Sequence, residues 1–155
     1  GIPVVANGDI VDAVTAQAAR MQSGADGVMV GRGAQGRPWV LAQIAHVLHG
    51  TPAPVVPFGA ALADLVVQHY EDMLAFYGVD LGRRVARKHI GWYVRELPGG
   101  DAFRGQMNAL DNSAAQVAAV EQFLDQLHEQ TDRIPAPGQM AGIRGVDNTM
   151  ECATP

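Results

Sequence analysis

The fold is decided by the stretch Ile2-Pro3-Val4-Val5-Ala6 and by the polar turn that follows it at once, Asn7-Gly8-Asp9. The apolar run does not alternate with polar residues, which is typical of a strand buried on both faces of a parallel α/β sheet. Helical spacing then predicts a helix that ends at Gly24, with Asp9 as its N-cap and Asp12 in a capping-box position. Its predicted apolar stripe consists of Val11, Val14, Ala18 and Met21.

A second strand, turn and helix are predicted directly after the first. Gly27-Val28-Met29-Val30 predicts a second buried strand, and Gly31-Arg32-Gly33-Ala34-Gln35-Gly36 predicts a glycine-rich turn before a helix that starts at Pro38 and ends at Gly50. The β-α-β-α order is typical of parallel sheets. Two parallel strands alone would leave both outer edges unpaired. We therefore expect partner strands outside this sequence and, because it does not open with Met, a fragment of a longer protein or a processed chain.

Beyond this region the sequence changes character. Three prolines within residues 51–57 predict a stiff linker, and helical periodicity then predicts a small bundle over residues 60–130. Periodicity disappears after residue 130, so a flexible tail is expected there. The predicted organisation is a strand-containing region over residues 1–50, a linker over 51–59, a helical domain over 60–130 and a tail over 131–155.

The periodicity also predicts which side chains of the helical domain pack. The apolar face of its first helix, which ends at Gly78, comprises Leu62, Leu65, Val66, His69, Met73 and Phe76. The last helix is expected to begin near Ser113 with Gln116 completing a capping box. Its apolar stripe comprises Val117, Val120, Leu124 and Leu127.

Charge is distributed unevenly along the chain. Apolar residues make up 48% of the sequence, which excludes global disorder, and the net charge is −5. Residues 83–104 nevertheless carry a net charge of +4, because this segment contains six basic and two acidic residues. At about 100° per residue, one side of the second helix carries the basic stripe Arg84, Lys88, Gly91 and Arg95, flanked by Arg87, and the other side carries Ala86, Ile90, Tyr93 and Leu97.

That helix is expected to pack with one face and to present positive charge with the other. The stripe suits the phosphates of folded RNA, although a solvated charged face has the same pattern. Gly91 lies on the stripe, where a residue without a side chain would admit a ligand close to the backbone. His89 and Trp92 lie between the two faces and are expected to pack rather than to catalyse.

The two turns after the strands are the other candidate site. Ligands bind at the carboxyl ends of parallel strands, and both turns fall there. Glycine lets the backbone approach an anion, and the guanidinium of Arg32 suits phosphate. The sequence therefore indicates a phosphate site, although the same glycines would also be needed simply to form tight turns.

Several long motifs resemble the tRNA-dihydrouridine synthases, in particular the bacterial B-type or NifR3-like branch. They are Ile2-Pro3-Val4-Val5-Ala6-Asn7-Gly8-Asp9-Ile10, Gly24-Ala25-Asp26-Gly27-Val28-Met29-Val30-Gly31-Arg32-Gly33-Ala34-Gln35-Gly36-Arg37-Pro38-Trp39, His69-Tyr70-Glu71 and Arg87-Lys88-His89-Ile90-Gly91-Trp92-Tyr93. The resemblance implies an α/β plus all-α chain: the last two βα units of an FMN-binding (β/α)8 TIM barrel, followed by a small helical tRNA-binding domain.

The resemblance also implies roles for individual residues. Asn7, Gly8 and Asp9 would lie at the flavin after the seventh strand, and Gly31 and Arg32 would hold its phosphate after the eighth. With the resemblance, the basic stripe is interpreted as a tRNA surface formed by Arg84, Arg87, Lys88 and Arg95. The family reduces the C5–C6 double bond of tRNA uridines: NADPH reduces the flavin, the flavin gives hydride to C6, and a cysteine protonates C5.

The same resemblance places the catalytic cysteine, and the lysine and histidine around the flavin, on earlier strands that this sequence lacks. Cys152, the only cysteine, lies outside any such motif. We therefore expect no catalytic residue here and no chemical step by the isolated chain. A stand-alone RNA-binding helical module and a piece of another FMN-dependent barrel oxidoreductase remain alternatives.

Composition adds further expectations. His46, His49, His69 and His128 form no ligand pattern, so no metal site is predicted. No apolar run has the roughly 20 residues that span a bilayer, and no secretory leader is visible, so a cytoplasmic protein without a membrane partner is expected.

Overall fold

The computed structural model describes residues 1–130, and the predicted tail over 131–155 and Cys152 lie outside them. The described part is mostly helical, with two strands and six α-helices. In chain order its elements are β1 (Val5–Asn7), α1 (Ala13–Ser23), β2 (Gly27–Met29), a 3-10 turn (Arg32–Ala34), α2 (Val40–His49), α3 (Ala60–Tyr77), α4 (Val79–Val94), α5 (Gly100–Ala109) and α6 (Ser113–Gln130).

The strand region, residues 1–50, holds a two-stranded parallel sheet. Val5 pairs with Gly27, and the register continues through Asn7 and Met29. α1 and α2 pack beside the sheet around four buried residues, Ile10, Ala16, Val40 and Ile44. Glycines end both helices in the left-handed conformation, Gly24 with φ 67° and Gly50 with φ 66°, as the sequence predicts.

The predicted burial of the strands is not achieved within the described residues. Val4 is 59% exposed, Val5 58% and Met29 52%, although all three belong to or border the sheet. Among residues 1–130 each strand has a single neighbour, so one edge of each is unpaired there. Such exposure on apolar strands indicates surfaces that fit further elements.

Two predictions about α1 are wrong. Its N-cap is Asp12, whose carboxylate accepts a hydrogen bond from Thr15 N at 2.7 Å, so Asp9 is not the cap. The predicted apolar stripe does not face the sheet: Val14 is 75% and Met21 77% exposed, while the side chain of Ala16 is buried instead. Small alanines let the helix lie close to the sheet, and the larger apolar residues point outward.

The helices over residues 60–130, the helical domain, pack around one core, against which Trp39 of the strand region also lies. Fifteen buried residues from α3 to α6 and from Leu97 form one cluster. The packing face predicted for the second helix is confirmed at Ala86, Ile90 and Tyr93 of α4, and Leu97, which lies three residues beyond the end of α4, is also buried. The stripe predicted for α6 is confirmed at Val120, Leu124 and Leu127, which are buried.

Two details of the helical domain differ from the sequence prediction. Phe76, in the last turn of α3, is 82% exposed, whereas Tyr70, which lies outside the predicted apolar face, is 1% exposed. Gln116 does not complete a capping box. Its amide oxygen instead accepts a hydrogen bond from the buried Tyr70 hydroxyl at 2.7 Å, and its amide nitrogen donates to Leu110 O.

The strand region and the helical domain touch at a glycine. A Cβ on Gly36, whose φ is +74°, would lie 2.3 Å from the carbonyl oxygen of Trp92 in α4. Only a residue without a side chain permits this backbone approach. The contact fixes the end of α4 beside the turns that follow the two strands.

Candidate functional site

The turns that follow β1 and β2 meet at one edge of the sheet. The guanidinium of Arg32 donates a hydrogen bond to the Asp9 carboxylate at 3.2 Å, and both side chains are highly exposed. A Cβ on Gly33 would lie 2.4 Å from Ile10 O, so the two backbones are in direct contact. The structure thus brings together the five residues predicted from the two turns, Asn7, Gly8, Asp9, Gly31 and Arg32.

Arg37 joins the two turns, a role that the sequence analysis missed. Its Nε donates to Gly33 O at 2.9 Å, and its Nη2 donates to Val11 O at 2.7 Å. One side chain therefore spans the turn after β1 and the turn after β2. No local pattern signals this, because the two acceptors are carbonyl oxygens far apart in sequence.

The first turn has an unusual backbone. Asp9 has φ +45° and is the only non-glycine residue with positive φ within residues 1–130, and Gly8 has φ +146°. A Cβ built on Gly8 or Gly31 would meet nothing within 4 Å, so space beside both glycines is open. A ligand can approach the backbone of both turns from this side.

This open side is a cleft of about 970 Å³ that the turns share with the end of α4. Arg95, Trp92 and Glu96 line it opposite the turns. The cleft therefore lies between the strand region and the helical domain, with charged groups of both signs around it.

A second, smaller groove of about 440 Å³ runs along α4. Among the described residues no acidic side chain lines it, and all four predicted RNA-binding residues do. Its lining comprises Arg84, Arg87, Lys88, Gly91, Trp92, Arg95, Arg104 and Asn108. Trp92 and Arg95 also line the cleft, so the groove and the cleft adjoin.

Arg104 and Asn108 belong to α5 and were not predicted as ligand-binding residues. The only sequence signal was that Arg104 lies within the basic segment. Helical spacing on α4 cannot reveal a residue that a different helix brings to the same groove. The space above Gly91 is also not left for a ligand, because a Cβ there would lie 3.3 Å from Cδ of Arg104.

Arg87 differs from the other predicted RNA-binding residues. Its guanidinium contacts Leu110 O and lies 3.3 Å from the Asp111 carboxylate, which Arg83 also approaches at 3.4 Å. Its side chain is 22% exposed. Arg87 thus holds the turn between α5 and α6, while Arg84, Lys88 and Arg95 are exposed.

Aromatic and imidazole rings form a cluster between α3 and α4. His69 Nδ1 lies 3.1 Å from the Tyr93 hydroxyl, and the His89 ring lies 5.1 Å from His69 and 4.7 Å from Trp92. Burial first, and then the charges of His69 and Lys88, lower the pKa of His89 below its ordinary value of 6.5. Burial raises the pKa of Tyr93 to about 12. Both groups are therefore neutral near pH 7 and pack as uncharged rings.

Within residues 1–130, no group of three or more His, Cys, Asp or Glu side chains is arranged to hold a metal ion. None of the helices in this part of the chain is long and apolar enough to span a membrane.

Known proteins are similar to this chain in sequence. The family model described as "Dihydrouridine synthase (Dus)" matches residues 1–129. A probable tRNA-dihydrouridine synthase of Rhodobacter capsulatus is 53% identical over 119 residues, covering 77% of this chain and 36% of the relative. tRNA-dihydrouridine synthase B of Pseudomonas aeruginosa is 43% identical over 123 residues, covering 79% and 37%. That of Pseudomonas putida is 39% identical over 140 residues, covering 90% and 42%.

The chain thus spans about two fifths of the length of the curated relatives that it matches. The matched segment contains both strand-end turns, the groove along α4 and the glycine contact that joins the two regions. With the family model matching more than four fifths of its residues, the chain belongs to the dihydrouridine synthase family.

Proposed function

We propose that this chain provides the flavin-phosphate end and the tRNA-binding domain of a tRNA-dihydrouridine synthase. The observation that carries the proposal is the adjacency of two surfaces. The cleft at the strand-end turns and the basic groove along α4 share Trp92 and Arg95. A flavin in the cleft and a tRNA on the groove would then be held side by side, as the reduction of a tRNA uridine requires.

The strand-end turns fit the phosphate of FMN. Arg32 offers an exposed guanidinium, and the open backbone at Gly8 and Gly31 lets an anion approach closely. Asn7 and Asp9 would contact the flavin beside it. When bound, FMN supplies the hydride for the uridine double bond, with NADPH as the reductant. The chain's own part is to hold the phosphate, with Arg37 keeping the two turns together.

The groove along α4 fits RNA. Exposed Arg84, Lys88 and Arg95 lie along it without an acidic neighbour in its described lining. Affinity for RNA that rests on such cations falls steeply with added salt. We expect tRNA binding by the chain to weaken with salt, and to weaken further when these three residues are replaced by Ala.

The isolated chain is proposed to be inactive. The two strands leave apolar surface uncovered, because Val4, Val5 and Met29 are exposed. In the full-length enzyme, six further barrel strands would cover this surface. Those strands would also carry the cysteine that protonates C5. Without them the chain is expected neither to retain yellow flavin nor to reduce uridine.

The test joins the chain to the N-terminal part of the Rhodobacter capsulatus relative. The hybrid should bind FMN and form dihydrouridine in an unmodified tRNA transcript when NADPH is added, and the chain alone should do neither. In the hybrid, Arg32→Ala should release the flavin, whereas Arg20→Ala, which removes the same charge from α1, should not. A hybrid that is folded by circular dichroism and holds FMN, but forms no dihydrouridine, would contradict the proposal.

A second function is favoured by one observation. Fifteen buried residues of the helical domain form one cluster, with Trp39 of the strand region packed against it. A core of this size would let the helices fold and bind RNA without the strand region. Salt-dependent tRNA binding by the chain, combined with an inactive hybrid, would favour this stand-alone RNA-binding module over the enzyme.

A further inference from the structure

The wall of the groove opposite α4 is formed by α5. Phe103 and Met107 are 4% and 1% exposed and anchor this helix in the core, and the Phe103 ring stacks on Phe123 at 4.2 Å. Arg104 and Asn108 are one helical turn apart and therefore share a face. That face lines the groove, and both side chains are exposed.

Arg104 is placed in the groove by Gly91. An ideal Cβ at Gly91 would lie 3.3 Å from Cδ and 3.7 Å from Nε of Arg104. The aliphatic part of Arg104 therefore lies against the backbone of α4 where a side chain is missing. Its charged end is brought to the row formed by Arg84, Lys88 and Arg95.

The guanidinium of Arg104 differs in its bonding from those of Arg83, Arg84 and Arg87. Arg83 and Arg87 are paired with Asp111, and Arg84 donates to Asp80 O at 3.2 Å. Within residues 1–130, no carboxylate or carbonyl oxygen is bonded to Arg104. Its donor fork is thus available to a ligand with paired anionic oxygens.

We propose that Arg104 and Asn108 bind the ribose–phosphate backbone of RNA in the groove between α4 and α5. This inference rests on the proposed tRNA function and names the second wall of the RNA site. Arg104 contributes a bidentate donor to a phosphate, and Asn108 contributes a neutral donor or acceptor to a phosphate or 2′-hydroxyl. Because the groove adjoins the cleft at Trp92 and Arg95, RNA bound by Arg104 and Asn108 would extend toward the strand-end turns.

The first test measures binding of an unmodified tRNA transcript to the full chain over a series of salt concentrations. Arg104→Ala should weaken binding about tenfold and lower the salt slope by about one, as the loss of one phosphate contact does. Arg104→Lys should keep the slope and weaken binding less. Asn108→Ala should weaken binding about threefold at an unchanged slope. Arg20→Ala, which removes a charge far from the groove, should change neither.

The second test separates ligand binding from folding. Gly91→Ala should leave the thermal midpoint unchanged or raised, since Ala favours a helix, yet weaken tRNA binding about threefold by displacing Arg104. Gly105→Ala on α5 is the matched control, because a Cβ there meets nothing within 4 Å. It should leave tRNA binding unchanged.

The outcomes distinguish this inference from the function on which it rests. If Lys88→Ala weakens tRNA binding but Arg104→Ala and Gly91→Ala behave like their controls, the second wall is wrong and the tRNA function stands. If the unaltered chain does not bind tRNA, both fail. If NADPH displaces the tRNA from the unaltered chain at the same concentration as competing tRNA does, the groove binds a free phosphate compound and the RNA assignment is overturned.

Discussion

The helical domain and the strand region differ in how completely they bury their apolar side chains. In the helical domain fifteen buried apolar residues form one cluster, whereas the cluster of the strand region has four members and its apolar strand residues are more than half exposed. The difference matters for the proposed function, because the groove proposed to bind RNA lies on the helical domain and the strand-end turns lie on the strand region. Binding of RNA is thus expected to be independent of further strands, and binding of flavin is not.

The largest expected effect comes from cavities made in each region. Leu124→Ala removes a side chain that is 1% exposed in the helical core and should cost about 2–5 kcal/mol of unfolding free energy. Ile44→Ala in the strand region should leave the main helical transition within about 0.5 kcal/mol. Urea unfolding followed by circular dichroism checks both. Equal shifts would show that the two regions unfold as one unit.

The junction between the regions should respond nearly as strongly. A Cβ at Gly36 would collide with Trp92 O, so Gly36→Ala should cost about 3 kcal/mol or separate the regions. Gly50→Ala is the matched control, because its φ of +66° is similar but nothing lies within 4 Å. It should cost only about 1 kcal/mol. Similar losses in both variants would show that the close contact is not the reason for glycine at position 36.

A smaller effect is expected inside the helical domain. Tyr70→Phe leaves the amide oxygen of Gln116 unpaired in the core and should cost about 1–3 kcal/mol. Tyr77→Phe removes the same hydroxyl from a side chain that is 46% exposed and should cost less than about 0.5 kcal/mol. Thermal unfolding compares the two. Loss of equal size at both positions would mean that the buried hydrogen bond does not stabilise the domain.

The smallest expected effect concerns pH and the strand region alone. The hydrogen bond from the Thr15 backbone lowers the pKa of Asp12 below its ordinary value of 3.8. The cap therefore stabilises α1 fully above that value and loses its contribution as the pH falls through the lowered pKa. Asp12→Ala should destabilise α1 by about 1 kcal/mol near neutral pH, and the difference from the unaltered chain should shrink below pH 3.8. Amide exchange in α1 measures it; a constant difference across this range would contradict the assignment.

Sequence reasoning succeeded where a face is decided by local spacing. On α4 the buried positions Ala86, Ile90 and Tyr93 and the exposed positions Arg84 and Lys88 follow from 3.6-residue periodicity, because spacing along one helix decides which side each residue occupies. It failed on α1, where the apolar residues Val14 and Met21 are 75% and 77% exposed. Periodicity reports that a face is apolar and does not report which element covers it.

The contacts of Arg37, Arg104 and Gln116 were not predicted for a different reason. Arg37 bonds carbonyl oxygens of two separate turns, and Arg104 reaches the groove from another helix through the space at Gly91. Gln116 likewise does not form the predicted capping box and instead accepts a hydrogen bond from the hydroxyl of Tyr70, which is 46 positions away in sequence. These contacts form only when the elements pack together, so no local sequence pattern predicts them.

The contrast between a closed helical domain and an open pair of strands is tested most directly by hydrogen exchange on the intact chain. Backbone amides of β1 and β2 should exchange orders of magnitude faster than the core amides of α3, α4 and α6, because local opening of an uncovered two-stranded sheet costs little. Strand amides that exchange as slowly as those of α4 would contradict the account, since they would show that the strands are stable without neighbours.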